Sequence, residues 1–233
     1  MKHIEVKILH HNLDGTPKFL AMLTQRGHQM ETMDDVMALY EKVKNTTPSE
    51  AMLRLPHGTI KRMSYITVAI HGLSTKAVSQ LRTHATRLTF VSTSTQYSEF
   101  SKVNIPYCTP PTDELTDKQK QTMETAFTNI HKEYKKLIDS GVDRDIAGYL
   151  LPQALKKVLI ISGDLDAWQY VFKVRLCRRN TVEVAHIMQL LYREIAKTAP
   201  EYLVGFHPDC VGGKCPEGKF CCGKQLKLAD ISG

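Results

Sequence analysis

Residues 65–98, YITVAIHGLSTKAVSQLRTHATRLTFVSTSTQYS, lay out a strand, a helix and a hydroxyl-rich loop in immediate succession. Tyr65, Thr67 and Ala69 alternate with Ile66, Val68 and Ile70, which predicts a strand buried on both sides. Gly72 is expected to end it, and Ser74 to cap a helix running to about Arg87. Along that helix Gln80, His84 and Arg87 fall at i, i+4 and i+7, so an amide, an imidazole and a guanidinium share one stripe. Val78, Leu81, Ala85 and Leu88 line the opposite side. The run Ser92-Thr93-Ser94-Thr95 is too polar for a buried strand and too β-branched for a good helix, so a loop is expected there.

The flanking sequence extends the same mixture. Ile4, Val6 and Ile8 alternate with polar residues as in a half-buried strand. Pro17 can open a short helix that Gly27 stops, and Thr32 with Asp35 resembles a cap for a helix carrying Val36, Met37, Tyr40 and Val43. From Thr116 to Ser140 the residues Met123, Phe127, Ile130, Tyr134 and Leu137 mark the clearest helix. Pro152 separates a short helix from a strand over Lys156 to Ser162. Two more helices follow, with apolar stripes at Leu165, Trp168, Val171, Phe172 and at Val184, Ile187, Met188, Leu191, Ile195. Helices outnumber strands without regular βαβ alternation, which favours α+β over a doubly wound sheet.

Composition excludes several classes. With 233 residues, 42% hydrophobic and 24% charged, the chain is neither disordered, collagen-like nor coiled coil, and its length fits one large domain. The longest aliphatic run, Val158 to Ile161, is far short of the ~20 residues a membrane span needs. No leader pattern is visible at Met1-Lys2-His3-Ile4-Glu5, so a cytoplasmic protein is expected. The net charge of +7 suits nucleic acid or phosphorylated small molecules; without a Lys/Arg block it equally suits a moderately basic solvated surface.

The polar stripe at Gln80, His84 and Arg87, continued by the hydroxyl run, could hold a phosphate and a uracil-like edge; a solvated helix face before a turn accounts for it as well. Arg175 continues the apolar line of Leu165, Trp168 and Phe172, so it either meets an anionic partner or snorkels at a helix end. Cys108 and Cys177 are isolated, and no G-x-S-x-G, Walker or Rossmann motif occurs. An enzyme of this kind would rely on a cofactor held by scattered side chains. His207, Cys210, Cys215, Cys221 and Cys222 offer zinc-type donors without a clean C-x2-C pair, and a metal-free basic tail is the favoured reading.

The segment PHGTIKRMSYITVAIHGLSTKAVSQLRTHATRLTFVSTSTQYSEF, residues 56–100, resembles the core of the flavin-dependent thymidylate synthases. That family shows a GHxSVxEH segment, a strand and helix of the type TFxIxGISRAxxHQLxRHR, then a serine and an RY pair. His57, Thr67, Ile70, Gly72, Ser74, Gln80, Leu81, His84, Ser94 and Tyr97 match if one residue is inserted between His84 and Ser94. The likeness continues through Leu151-Pro152, the SGNLRA-like ISGDLDAWQYVFKVR, Glu183, and a CPEGK tail at Cys215 to Lys219.

The resemblance implies a single α+β domain with a mixed or antiparallel sheet flanked by long helices over residues 1–206. A Cys-rich basic tail would follow over 207–233. It implies FAD as cofactor, with NADPH and methylenetetrahydrofolate as co-substrates, reductive methylation of dUMP to dTMP without a cysteine nucleophile, and a homotetramer with sites between subunits. Gln80, Ser94 and Arg175 match positions that hold the nucleotide, and His57 and His84 match positions near the flavin. Thr83 and Ala85 stand where the family has the two arginines of RHR, Gln96 where it has the RY arginine, and Asp164 and Asp166 where it has Asn and Arg. Arg87, on the face of Gln80 and His84, is the expected substitute on the nucleotide side. Arg82 is the expected substitute beside the flavin. A homologue with altered or lost catalysis that binds nucleotide or serves as a structural subunit is the alternative, ahead of a nucleic-acid-binding protein.

Overall fold

The structure, a computed structural model, describes residues 4–47, 50–54, 58–103, 107–109 and 114–232. His57 lies outside the described residues. Strands β1 (Glu5–His11), β2 (Tyr65–Ser74), β3 (Thr89–Ser92) and β4 (Lys156–Asp164) pair antiparallel in the order β1-β2-β4-β3. The helices are α1 (Thr16–Arg26), α2 (Met33–Val43), α3 (Glu50–Arg54), α4 (Gly58–Arg62), α5 (Thr75–Arg82), α6 (Asp117–Asp139), α7 (Arg144–Ala147), α8 (Leu165–Arg175), α9 (Val182–Thr198) and α10 (Ala229–Ser232). This is the expected α+β architecture. Among the described residues no helix is long and apolar enough to cross a membrane.

Period-two alternation sends Ile66, Val68 and Ile70 of β2, with Leu159 and Ile161 of β4, to one face, where they form the main core with Trp168 and Phe172 of α8 and Ile187 and Leu191 of α9. Each such side chain contributes about 1.5–3 kcal/mol on burial. The indole N–H of Trp168 donates to the Ile66 carbonyl at 3.1 Å, pinning α8 to β2. The expectation that β2 is buried on both sides is corrected: Tyr65 is 39% exposed and Thr67 and Ala69 are half-buried. An antiparallel sheet needs only one face covered, and here the large apolar residues all take the helix side.

Gly72 does not end β2 either. It adopts φ +85°, the left-handed region that glycine enters freely, and the register shifts between His71 and Leu73. The result is an irregularity inside a strand that continues to Ser74. Ser74 Oγ then accepts from the Ala77 N–H at 3.0 Å, the expected N-cap of α5. The same residue donates to Glu183, its N–H at 2.7 Å and its hydroxyl at 2.6 Å, so one carboxylate in the first turn of α9 fixes where β2 becomes α5. At the other end of β4, Asp164 caps α8 through the Ala167 N–H at 2.7 Å. Residues 89–92, partly assigned to a loop from their polarity, form β3, because pairing with β4 satisfies their backbone and seats Phe90 opposite Ile161.

Helix α6 starts with a capping box between Thr116 and Gln119. It builds a smaller core around Tyr134, whose hydroxyl accepts from the Phe100 N–H at 3.2 Å and so anchors the chain after the hydroxyl run.

Breaking the Glu183 clamp tests this junction. A hydrogen bond to a charged acceptor is worth about 1.5–3 kcal/mol, so Glu183→Ala, which removes two, should lower stability by about 3 kcal/mol or more. The measurement is a urea titration; a fallen midpoint with an unchanged slope is expected, and an unmoved midpoint would show that the carboxylate does not hold the junction.

Candidate functional site

The last residue of α8, Arg175, is half-buried and organises its surroundings through neutral acceptors alone. Its Nε–H donates to His84 Nε2 at 2.7 Å. One terminal nitrogen donates to the Gln80 carbonyl at 2.9 Å and to Thr83 Oγ1 at 2.7 Å, and the other to Asn180 Oδ1 at 3.3 Å. Asn180 returns a bond to the Arg175 carbonyl at 2.7 Å. The expected anionic partner is therefore absent from the described residues, and the positive charge is left uncompensated. Burial pushes the Arg175 guanidinium below its ordinary basicity without discharging it.

This network explains why α5 stops at Arg82 and does not run to Arg87. The Gln80 carbonyl, which would accept from the His84 N–H in a continuing helix, is taken by Arg175 and by the Thr83 hydroxyl at 2.8 Å. The His84 N–H turns back to Leu81 at 3.1 Å, and tight turns carry the chain to Leu88. His84 nevertheless arrives at the site. It is 8% exposed, accepts from Arg175 on Nε2, and so carries its ring proton on Nδ1. Burial first, then Arg175 and Arg87, hold its pKa below the ordinary imidazole value.

Arg87 reaches the same region by a different route from the predicted helix face. Its guanidinium stacks 4.5 Å over the Tyr170 ring and pairs with Asp166 at 3.7 Å, while Tyr170 meets the His84 ring edge-on at 5.9 Å. Asp164 and Asp166 are thus engaged, one as the α8 cap and the other with Arg87 and Arg62. The Gln80 side chain accepts from the Thr181 hydroxyl at 2.7 Å, tying α5 to the start of α9. Beside Arg175 opens a cavity of about 480 Å3, lined by Tyr170, Lys173, Arg179 and Asn180 on one side and by Cys210, Cys215 and Glu217 of the C-terminal segment on the other. Among the described residues no three His, Cys, Asp or Glu side chains are arranged to hold a metal ion.

Gln80, His84, Arg87 and Arg175 are therefore brought together, whereas Ser94 and Arg82 are not. Those two line a second cavity with Lys157. Gln80 and Arg82 lie two residues apart, about 200° around α5, so their side chains leave that helix on different sides, and the two cavities share no lining residue. Asn180, Thr181 and Tyr170 complete the Arg175 cluster without having been singled out from sequence, and Thr83, noted there only as the residue in place of a family arginine, joins them. Only Asn180 carried a local signal, as a polar amide just beyond the end of α8.

Neutral His84 makes a pH-dependent contribution. Its folded pKa lies below the unfolded value of about 6.5, so the unfolded chain binds the proton more readily. The stability associated with the Arg175–His84 bond is complete above that unfolded value and is lost as pH falls through the lowered folded one. His84→Gln keeps an acceptor for Arg175 and should lose less stability between neutral and mildly acidic pH than the wild type. Parallel pH curves for the two proteins would contradict a neutral His84.

The family model described as thymidylate synthase complementing protein matches residues 11–201. The flavin-dependent thymidylate synthase of Geobacter sulfurreducens is 27% identical over 194 residues, covering 83% of this chain and 79% of its own. That of Sulfurisphaera tokodaii is 26% identical over 214 residues, covering 89% and 79%. Among solved structures, the UMP/dUMP methylase PolB from Streptomyces cacaoi, bound with 5-Br dUMP, superposes with a TM-score of 0.69 at 19% identity over 87% of this chain and 94% of that one. Thymidylate Synthase X from Helicobacter pylori, with FAD and dUMP, superposes with a TM-score of 0.58 at 18% identity over 87% and 97%. At these identities the solved structures establish the fold, and the family match across residues 11–201 shows that the chain belongs to the flavin-dependent thymidylate synthase family.

Proposed function

We propose that this protein methylates the uracil ring of dUMP reductively, giving dTMP, with FAD as cofactor and methylenetetrahydrofolate and NADPH as co-substrates. The observation that carries the proposal is the uncompensated guanidinium of Arg175. It is held by His84, Gln80, Thr83 and Asn180 at the edge of a cavity with room for a nucleotide-sized group. A fixed cation with only neutral partners favours an anionic ligand. The relatives support the same chemistry: the Streptomyces cacaoi enzyme is a UMP/dUMP methylase, and the Helicobacter pylori structure holds both FAD and dUMP.

The donor set fits the flavin cofactor as well as the substrate, since both carry phosphates and the two cavities present Arg175, Arg82 and Lys157 without carboxylate partners. When bound, FAD supplies the reducing equivalents that, replenished by NADPH, convert a transferred methylene to a methyl group. The chain's own residues bind and orient. In this reading Arg175, Gln80, Arg87 and Ser94 hold the nucleotide, and His57, His84 and Arg82 lie beside the flavin. His84, neutral and hydrogen-bonded through Nε2, keeps Arg175 in place without adding a second positive charge. Arg87, braced by Tyr170 and Asp166, has the rigidity to fix a ligand from the same side. Because Ser94 and Arg82 line a different cavity from Arg175, a site using all of them draws on two copies of the chain, as in a homotetramer with sites between subunits.

Activity is tested by tritium release from ring-labelled dUMP; release that requires NADPH and methylenetetrahydrofolate is expected, and none with flavin-loaded protein would refute the reading. Arg175→Ala should weaken dUMP binding by about 1.5–3 kcal/mol, roughly tenfold to a hundredfold, as for a lost charge-assisted bond. Unchanged affinity in a folded variant, measured by calorimetry, would remove Arg175 from the nucleotide site.

A further inference from the structure

Along α5, a second cavity of about 400 Å3 is lined by two cations and, among the described residues, by no carboxylate. Lys157 sits in the buried row of β4, in phase with Leu159 and Ile161, and is 6% exposed. Its ammonium donates to the Thr93 carbonyl at 2.9 Å and lies 5.6 Å from the centre of the Phe100 ring, leaving further N–H donors without an acceptor. Arg82, at the rim, has no carboxylate partner among the described residues, and burial, followed by the Arg82 charge, pushes Lys157 down to about 8. A lysine so placed is costly to keep charged and gains strongly from an anion beside it.

The hydroxyls point to the same deficit of acceptors. Thr93 Oγ1 accepts from the Val158 N–H at 3.2 Å, and Ser94 Oγ accepts from the N–H groups of Gln96 and Tyr97 at 3.1 and 3.3 Å. Both keep their own O–H free to donate. Ser92 Oγ is buried with no hydrogen-bond partner among the described residues. A buried, unsatisfied hydroxyl costs about 1–3 kcal/mol, so a ligand that accepts from it is favoured. Lys157, Arg82 and three hydroxyls thus surround one space with more donors than a planar carboxylate can accept, whereas a phosphate offers three oxygens on different sides.

We infer that this cavity is a phosphate subsite, with Lys157 as its buried cation, Arg82 as its rim cation and Ser92, Thr93 and Ser94 as hydroxyl donors. The inference rests on the proposed function, which supplies two phosphate esters: the monoester of dUMP and the pyrophosphate of FAD. The resemblance that assigned Ser94 to the nucleotide gives Lys157 no role. Lys157 and Arg82 take up charge recognition that the family vests in arginines absent here at Thr83, Ala85 and Gln96.

The test uses Lys157→Met, Lys157→Arg and Arg82→Gln in the full chain. Calorimetry gives affinities for dUMP and deoxyuridine, and flavin fluorescence gives affinities for FAD and riboflavin. Lys157→Met should weaken at least one phosphorylated ligand by about tenfold or more while leaving its unphosphorylated counterpart unchanged, and Lys157→Arg should restore most of the loss. A dUMP-only effect assigns the subsite to the nucleotide, an FAD-only effect to the flavin. Should Lys157→Met fail to fold, Arg82→Gln carries the same contrast from an exposed position. Unchanged dUMP and FAD affinities in folded Lys157→Met, or in Arg82→Gln where that variant stands in, overturn the subsite and leave the proposed function standing. If the wild type binds neither dUMP nor FAD, the proposed function fails, and inorganic phosphate followed by phosphorus NMR decides the subsite: Lys157-dependent binding supports it and no binding overturns it.

Discussion

The bond from Arg175 to His84, with its companions to Gln80, Thr83 and Asn180, is the constraint around which this end of the molecule is arranged. It ends α5 by occupying the carbonyl that a further turn would need, and it joins the end of α8 to the approach to α9 through Asn180. It also sets the protonation state of His84, because an imidazole accepting on Nε2 from a guanidinium cannot also be protonated there. Burying a guanidinium without an anion costs several kcal/mol, and the four neutral acceptors offset part of that cost. What remains is a directed positive charge beside a cavity, and the proposed nucleotide role rests on it.

The scaffold keeps both candidate subsites on rigid elements. β4 runs without a loop into α8 through the Asp164 cap, so Lys157 at its start and Arg175 at the end of α8 belong to one continuous strand–helix unit. Trp168 fastens that unit to β2, and Glu183 fastens the β2–α5 junction to α9. Side chains carried on strands and packed helices hold their geometry better than side chains on loops. Thr93 and Ser94 come from a loop that β3 anchors on one side and the Phe100–Tyr134 bond on the other, while Thr83, His84 and Arg87 come from the tight turns after α5, which the Arg175 bonds fix.

How much of this was legible in the sequence depends on how local the deciding chemistry is. Pro17 at the start of α1, the Thr32–Asp35 box of α2 and the Ser74 cap were readable, because each rests on residues within one turn, and the extent of α6 was readable from its apolar spacing. The end of α5 was not, since the group that stops it, Arg175, lies more than ninety residues away in the chain. Gly72 signals an interruption, yet whether a left-handed glycine ends a strand or bends it depends on the partner strand. Of β3 only Ser92 was assigned to the loop, and Thr89, Phe90 and Val91 are too short a run to show a strand period without the partner strand. In the site, Gln80, His84 and Arg175 were readable from the family resemblance, while the neutral surroundings of Arg175 and the splitting of Ser94 and Arg82 away from it were not. Lys157 did leave a trace, as a lysine in phase with Leu159 and Ile161 on a strand whose other members at that phase are apolar.

The central claim, that a flavin and a deoxyuridine nucleotide meet at this site, is tested most directly by the visible absorbance spectrum of the protein saturated with FAD and titrated with dUMP. The account predicts bound-flavin bands that shift saturably with dUMP and not with deoxyuridine at the same concentrations. Protein that stays colourless after incubation with FAD, or a bound flavin whose spectrum ignores dUMP, would contradict it.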